Sequence, residues 1–182
     1  MNQISWFSPR LISAITIAVV GAFSTQTAFG DITWNWSFVG DNINASGTLL
    51  TNDTPNAMGF HQILSIAGSR NGDPITGLFP TGSAIPGNEP FAVDNLIRNG
   101  PQEQLTIHGF GFSTASGGYS NPFFADFLNP PAYLEVFTTS TTFSELPITF
   151  TATQTPEPGS ILLTLSGLSA LGCAGYLRRR TA

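Results

Sequence analysis

The chain of 182 residues has no lysine, one cysteine and only 9% charged residues. A single cysteine, Cys173, excludes an internal disulfide framework and a cysteine-rich metal site. All eleven acidic residues lie between Asp31 and Glu157 together with two arginines, so this stretch carries a formal charge of 2 − 11 = −9. Because nucleic-acid backbones are anionic, we expect no nucleic-acid partner.

Residues 31–154 also lack a convincing amphipathic helix. Gly, Pro, Asn and Asp interrupt the segment every few residues, and the short runs between them are rich in Thr, Phe and Ile. This pattern is typical of an all-β domain, and the aromatic content of 12% argues against disorder. We therefore predict one all-β domain of the β-sandwich or jelly-roll-like class over residues 31–154.

The clearest local element is a hairpin at Asn71-Gly72, a dipeptide that suits a type I′ turn. Pairing outward from the turn sets Arg70 opposite Asp73 and, at the far end, Leu64 opposite Phe79. Further strands are predicted over residues 123–128 and 133–139, with Asn121-Pro122 as the turn before the first of them.

Residues 1–30 have the pattern of a secretory signal peptide. Arg10 precedes an apolar run over residues 11–23, and Ala28-Phe29-Gly30 offers small residues for cleavage before Asp31. The alternative is a permanent amino-terminal anchor, but the run is short for a membrane span of roughly 20 residues. We therefore expect export and removal of this segment by signal peptidase.

The other end, residues 155–182, has three parts in a fixed order. Pro156-Glu157-Pro158 comes first, then an uncharged and mostly apolar stretch over residues 160–177, then Arg178, Arg179 and Arg180. As a helix the apolar stretch would measure about 27 Å, close to the thickness of a bilayer core. Since arginines favour the cytoplasmic side, we expect the β domain outside and the extreme carboxyl terminus inside.

This three-part tail resembles the PEP-CTERM sorting signal of bacterial exosortase substrates. The resemblance rests on Pro156-Glu157-Pro158, the span 160–177 and the arginine cluster 178–180. The central segment, with blocks such as 68–72 and 121–127, looks like uncharacterised proteins of the same group. The resemblance implies a Gram-negative-type envelope, an inner-membrane exosortase that cuts near Pro-Glu-Pro, and an association with extracellular polysaccharide.

Two interpretations of the tail stay open at this stage. In one, the protein is anchored in the inner membrane and then cut and passed to the envelope or the extracellular space. In the other, it remains an uncleaved single-pass membrane protein, which shares every physical feature of the first except the cut.

Trp34, Trp36 and Phe38 form an aromatic stripe on one face of a predicted strand over residues 33–38. Large aromatics usually fill a core. On an exposed face, Trp34 and Trp36 would instead stack on sugar rings, which would make the domain a carbohydrate-binding module for exopolysaccharide.

Residues suited to catalysis are few. His61 and His108 lie in no recognisable metal or triad motif, so we expect a non-enzymatic envelope or matrix protein rather than a small hydrolase. No cofactor is expected. The Asp/Asn clusters at 41–42, 52–53, 71–73 and 94–95 suit turns, and calcium at one of them is the alternative.

Overall fold

A computed structural model describes residues 30–101 and 103–155 of the chain. These residues form nine β-strands joined by turns and loops. The strands are β1 (Ile32–Gly40), β2 (Ile43–Thr51), β3 (His61–Arg70), β4 (Asp73–Leu78), β5 (Leu96–Ile97), β6 (Phe112–Thr114), β7 (Tyr119–Ala125), β8 (Ala132–Thr138) and β9 (Phe143–Gln154).

Eight of these strands close into one antiparallel barrel. Around the barrel the order is β1, β2, β3, β4, β6, β7, β8 and β9, so apart from β5 each strand pairs with the one that follows it in the chain. The last strand then returns to the first, and Trp36 of β1 lies opposite Ala152 of β9. The short strand β5 stands outside this ring and pairs with the beginning of β3 through His61 and Ile97.

The prediction of a β-sandwich or jelly-roll-like domain is therefore wrong. A sandwich needs two sheets packed face to face, whereas here the pairing of β1 with β9 closes a single sheet on itself. Both architectures bury alternate residues of short strands. The local pattern that indicated β structure thus could not distinguish them.

The barrel interior is filled by alternate residues of its strands. Trp34, Trp36 and Phe38 of β1 are almost completely buried, which confirms that the aromatic stripe belongs to the core. Burial alternates in the same way along β9, with Ile148, Phe150 and Ala152 inside and the intervening threonines outside. Burying each large side chain stabilises the barrel by about 1.5–3 kcal/mol. The remaining members of this cluster are Ile43, Ala45, Leu49, Ile63, Ile97, Leu105, Phe110 and Phe112.

The hairpin at Asn71-Gly72 is confirmed at its turn. Both residues have positive φ, and Arg70 pairs with Asp73. Only two residue pairs form before the strands diverge, because β4 turns to pair with β6. The predicted pairing of Leu64 with Phe79 is wrong. The ladder between β2 and β3 shifts by one residue at this point, which leaves Leu64 half exposed.

Asn121-Pro122 was predicted as a turn, but both residues lie within β7. The carbonyl of Pro122 accepts a hydrogen bond from the amide of Phe110, so the irregular segment before β6 takes the place of a regular partner strand there. A proline in a strand costs little where no ladder donor is needed. The actual turn into β7 lies over residues 115–118, between β6 and β7.

The two ends of the barrel differ. One end carries the short hairpin turns after β1, β3, β6 and β8. The other carries the longer loops after β2 and β4, the beginning of β1 and the end of β9. The amide of Thr155 donates to the carbonyl of Thr33 over 2.8 Å, so the pairing of β9 with β1 continues to the last described residue. Both termini of the domain therefore leave from the same end.

Candidate functional site

A second apolar layer lies outside the barrel, over the outer faces of β7 and β8. Side chains alternate along β7, so that Phe124 packs against the inner core whereas Phe123 faces outward. The loop over residues 79–95 covers this outer face with Ile85, which is completely buried. A small separate core thus holds the loop against the barrel wall.

Beside this outer core lies a pocket of about 480 Å³, within the size range of small-molecule sites. Its floor is formed by β7 and β8, and its sides come from the loops after β4, β5 and β7 together with the first part of β9. We call it the outer pocket. Its lining residues are Asn88, Phe91, Ile107, His108, Asn121, Phe123, Phe127, Val136 and Glu145.

Three apolar side chains at this pocket are much more exposed than their chemistry favours. Phe91 is 65% exposed, Phe127 69% and Ile107 50%, and they come from three different loops. Phe123 and Val136, in contrast, are buried and belong to the outer core. Exposed apolar groups that meet at one concave site are typical of a binding surface.

A chain of amides fixes the polar part of the outer pocket. The side-chain nitrogen of Asn121 donates to the carbonyls of His108 and Phe110 at 3.0 and 3.1 Å. Its side-chain oxygen accepts from Asn88 at 3.3 Å. The Nδ1 atom of His108 lies 3.1 Å from the carbonyl of Ala92. These bonds tie the two loops to β7, so the pocket wall is held in place without a ligand.

Asp94 and Asn95 anchor the same loops from behind. Asn95, fully buried, donates to the carbonyl of Phe79 and accepts from the amide of Gly111, each within about 3.1 Å. Asp94 accepts a 2.7 Å hydrogen bond from the hydroxyl of Thr106. Burial raises the pKa of Asp94, although this hydrogen bond works in the opposite direction.

The barrel interior contains a buried ion pair close to the hairpin end. Arg70 donates to both carboxylate oxygens of Glu135, through Nε at 2.7 Å and Nη2 at 2.9 Å. Ser120 donates to the same carboxylate at 2.5 Å. The guanidinium also lies over the ring of Phe137, 3.6 Å from its centre. All charge in this part of the interior is therefore paired.

The other arginine of the described residues is also paired. Arg98 lies 2.6 Å from Glu103 on the surface and over the ring of Phe60. Since the chain has no lysine, both formal side-chain cations in residues 30–101 and 103–155 already have a carboxylate partner. The outer pocket itself is lined by one carboxylate, Glu145, and no arginine.

The residues considered for sugar stacking lie inside the barrel. Trp34 is completely buried and its indole donates to the hydroxyl of Thr51 at 3.0 Å. Trp36 is 3% exposed, and its indole nitrogen finds no partner among the described residues. A stacking platform requires an exposed ring face, and neither indole offers one. Their position fits the core interpretation.

The two histidines differ in burial and in surroundings. His61 is buried beside Trp34 and its Nδ1 lies 2.9 Å from the carbonyl of Asn52. His108 is exposed at the outer pocket. Within the described residues no group of three or more His, Cys, Asp or Glu is placed to hold a metal ion. In the clusters considered for calcium, Asn42, Asn71 and Asn95 adopt positive φ, as turn residues do.

Most residues of the predicted targeting segments lie outside the described part of the chain. These are Ala28 of the cleavage site, Pro156, Glu157 and Pro158 of the sorting motif, and Arg178, Arg179 and Arg180. Gly30 is described and is partly exposed ahead of β1. In the ranges 30–101 and 103–155 no helix is long and apolar enough to cross a membrane.

Sequence reasoning did not find the outer pocket. Its exposed residues Phe91, Ile107 and Phe127 lie in loops, where no periodic pattern predicts which way a side chain points. Loops often carry binding residues on a rigid scaffold, so an aromatic residue in each of two polar loops was the available signal.

Comparison of the chain with protein-family models, with curated proteins and with solved structures gave no match.

Proposed function

We propose that this protein is an exported, non-enzymatic component of the cell envelope or extracellular matrix. Its β-barrel is the cargo, and the tail over residues 155–182 is a sorting signal that an exosortase cuts near Pro156-Glu157-Pro158. The observation that carries this proposal is the order of the tail: the proline-flanked glutamate, then an apolar stretch of membrane length, then three arginines.

The fold supports such a role for the domain. Both ends of the domain leave from one end of the barrel, where β1 begins and β9 ends. A hydrogen bond joins Thr155 to Thr33, so the folded part extends to the residue before the motif. At about 3.6 Å per residue, Glu157 follows within roughly 7 Å of chain. The processing enzyme would therefore act immediately beside the barrel.

The alternatives differ in what they predict. An uncleaved single-pass anchor would keep the tail, and it differs from the proposal only in mass. A carbohydrate-binding domain could not use Trp34 and Trp36 to stack on sugar rings, since both are buried. The outer pocket, with its exposed Phe91 and Phe127, is the surface at which a ligand is considered below.

The test is the intact mass of the protein recovered from a host that encodes an exosortase and from the same host without it. We expect loss of residues 1–30 in both hosts and loss of the chain beyond the Pro-Glu-Pro motif only in the first. Glu157→Ala should retain the tail, whereas the control Glu89→Ala, at a Glu-Pro pair in a loop, should not. Mature protein ending at Ala182 in the competent host would overturn the proposal.

Insertion of a flexible linker tests the position of the cut relative to the barrel. A flexible insertion after Thr155 should speed processing, because it moves the motif away from the folded domain. The same insertion after Thr153 would interrupt β9 and is expected to destabilise the barrel. An unchanged or slower rate after insertion at Thr155 would contradict the close approach.

A further inference from the structure

The outer pocket has features that the sorting role does not need. The barrel core lies inside, and the outer core is already complete with Ile85, Phe123 and Val136. Phe91 and Phe127 nevertheless stay about two-thirds exposed at the pocket. Exposed apolar side chains that converge on one concave site, unlike single ones elsewhere on a surface, are typical of a ligand-binding site.

The pocket also restricts the charge of its ligand. Its only formally charged lining residue is Glu145 in β9, and the arginines of the described barrel are engaged by Glu135 and Glu103. An anionic ligand such as a fatty-acid carboxylate or an acidic polysaccharide would meet a carboxylate and no free cation. A neutral or cationic ligand meets a carboxylate that favours it.

The side chains that line the pocket point to a ring as its ligand. Phe91, Phe127 and Ile107 are exposed at the pocket, beside the buried Phe123 and Val136. Polar groups lie on both sides of Val136, which pairs with Asn121 of β7 on one side and with Glu145 of β9 on the other. Aromatic walls bind planar groups through stacked or edge-to-face contacts, and they also favour cations above their faces. A flexible acyl chain would offer neither an aromatic face to Phe91 and Phe127 nor a donor to Glu145.

We propose that the outer pocket binds an aromatic ring that bears a positively charged or hydrogen-donating group. The ring packs among Phe91, Phe127 and Ile107, and the charged or donating group lies toward Glu145. The pocket then binds small cationic or neutral aromatic molecules independently of whether the tail is cut, and only its location at the cell surface rests on the export proposed above.

The experiment uses three naphthalene probes of similar size and different charge: 2-naphthylmethylamine, 2-naphthalenemethanol and 2-naphthoate. Binding to the purified protein at pH 7 is measured by calorimetry and by chemical-shift changes of the Phe91 and Phe127 ring signals in NMR spectra. We expect the amine to bind about threefold more tightly than the alcohol, because Glu145 is partly solvated. The carboxylate should bind more weakly than either.

Variants separate the two parts of the proposal. Phe127→Ala should weaken all three probes about fivefold, since roughly half of a phenylalanine contact is lost. Its control is Phe143→Ala, which removes a similarly exposed ring that does not line the pocket. Glu145→Gln should abolish the preference for the amine while leaving the alcohol unchanged, and the turn variant Asp41→Asn should alter neither.

Three results would overturn the proposal. The first is equal or tighter binding of 2-naphthoate, which would mean that the charge of the pocket does not select its ligand. The second is absence of binding by all three probes to a folded protein. Binding that persists in Phe127→Ala but falls in Phe143→Ala would also refute it, because the site would lie elsewhere.

Discussion

Replacing Arg70 by methionine should destabilise the barrel strongly. The change leaves the carboxylate of Glu135 completely buried, with Ser120 as its remaining hydrogen-bond donor. Removing one partner of a buried ion pair typically costs about 3–5 kcal/mol, because the other charge is left uncompensated in the interior. Glu135→Met should cost less, about 3 kcal/mol. Arg70 retains 10% exposure near the hairpin end and its contact with Phe137.

Removing both charges should restore most of this stability. The double variant Arg70→Met/Glu135→Met leaves only the hydroxyl of Ser120 without its acceptor, at a cost of about 1–2 kcal/mol. The two single losses would sum to about 6–8 kcal/mol. The double-mutant cycle should therefore give a coupling of roughly 5 kcal/mol.

Equilibrium unfolding in urea measures these values. Fluorescence of Trp34 and Trp36 reports directly on the barrel interior, where both are buried. The matched control is Arg98→Met, which breaks an ion pair whose side chains are 29% and 56% exposed. Exposed pairs contribute about 0–1 kcal/mol, so this variant should differ little from the unchanged protein.

The reasoning would be refuted if Arg70→Met and Arg98→Met cost the same, or if the single losses simply added in the double variant. Should Arg70→Met fail to fold, the double variant still has to fold, because it contains no buried charge. A double variant less stable than either single one would show that the pair does not act as a unit.

Two further predictions concern the loops behind the outer pocket. Gly109→Ala should lower the free energy of unfolding by at least about 2 kcal/mol, since Gly109 has positive φ and a Cβ atom there would overlap the carbonyl of Pro122. The control Gly59→Ala, at a position with positive φ but open space, should cost about 1 kcal/mol in the same urea assay. Equal losses in the two variants would contradict the close packing at Gly109. The free energy of unfolding of Asp94→Asn should increase relative to that of the unchanged protein as pH rises above 3.8, the ordinary pKa of aspartate. A carboxyl whose folded pKa is raised contributes stability below its unfolded pKa and loses it as pH rises through the folded pKa. A difference in unfolding free energy between variant and unchanged protein that stays constant from pH 3 to pH 7 would contradict this sign.

Local features of the fold were accessible from the sequence. The alternation in β1 predicted which side chains would be buried, because the side-chain period of a strand is two. The turn at Asn71-Gly72 was also predicted, since few dipeptides tolerate positive φ at both positions. Each of these depends only on neighbouring residues.

Closure of the barrel depends on contacts far apart in the chain. The pairing of Trp36 with Ala152 joins strands from opposite ends of the domain, and neither strand carries a signal for its partner. The prediction of a turn at Pro122 was wrong for the same reason. A proline indicates a turn unless a distant, irregular segment such as Gly109-Phe110 lies alongside it.

The buried ion pair had a weak signal. Arg70 ends a strand of mostly apolar and small residues in a domain with only two arginines, and a lone cation in such a strand needs a partner when it is buried. The partner is 65 residues away in β8, so the sequence could indicate the need for a carboxylate without identifying Glu135.

The barrel also determines where a cut can be tolerated. β9 pairs with β8 through its first half and with β1 through its second half, so it is the strand that closes the ring. A cut within β9 would remove pairs such as Trp34 with Gln154 and leave β1 with an open edge, which promotes aggregation. A cut after Thr155 removes no strand. The position of Pro156-Glu157-Pro158, immediately beyond the last pairing of β9, is therefore the earliest point at which the tail can be released from a barrel that stays closed.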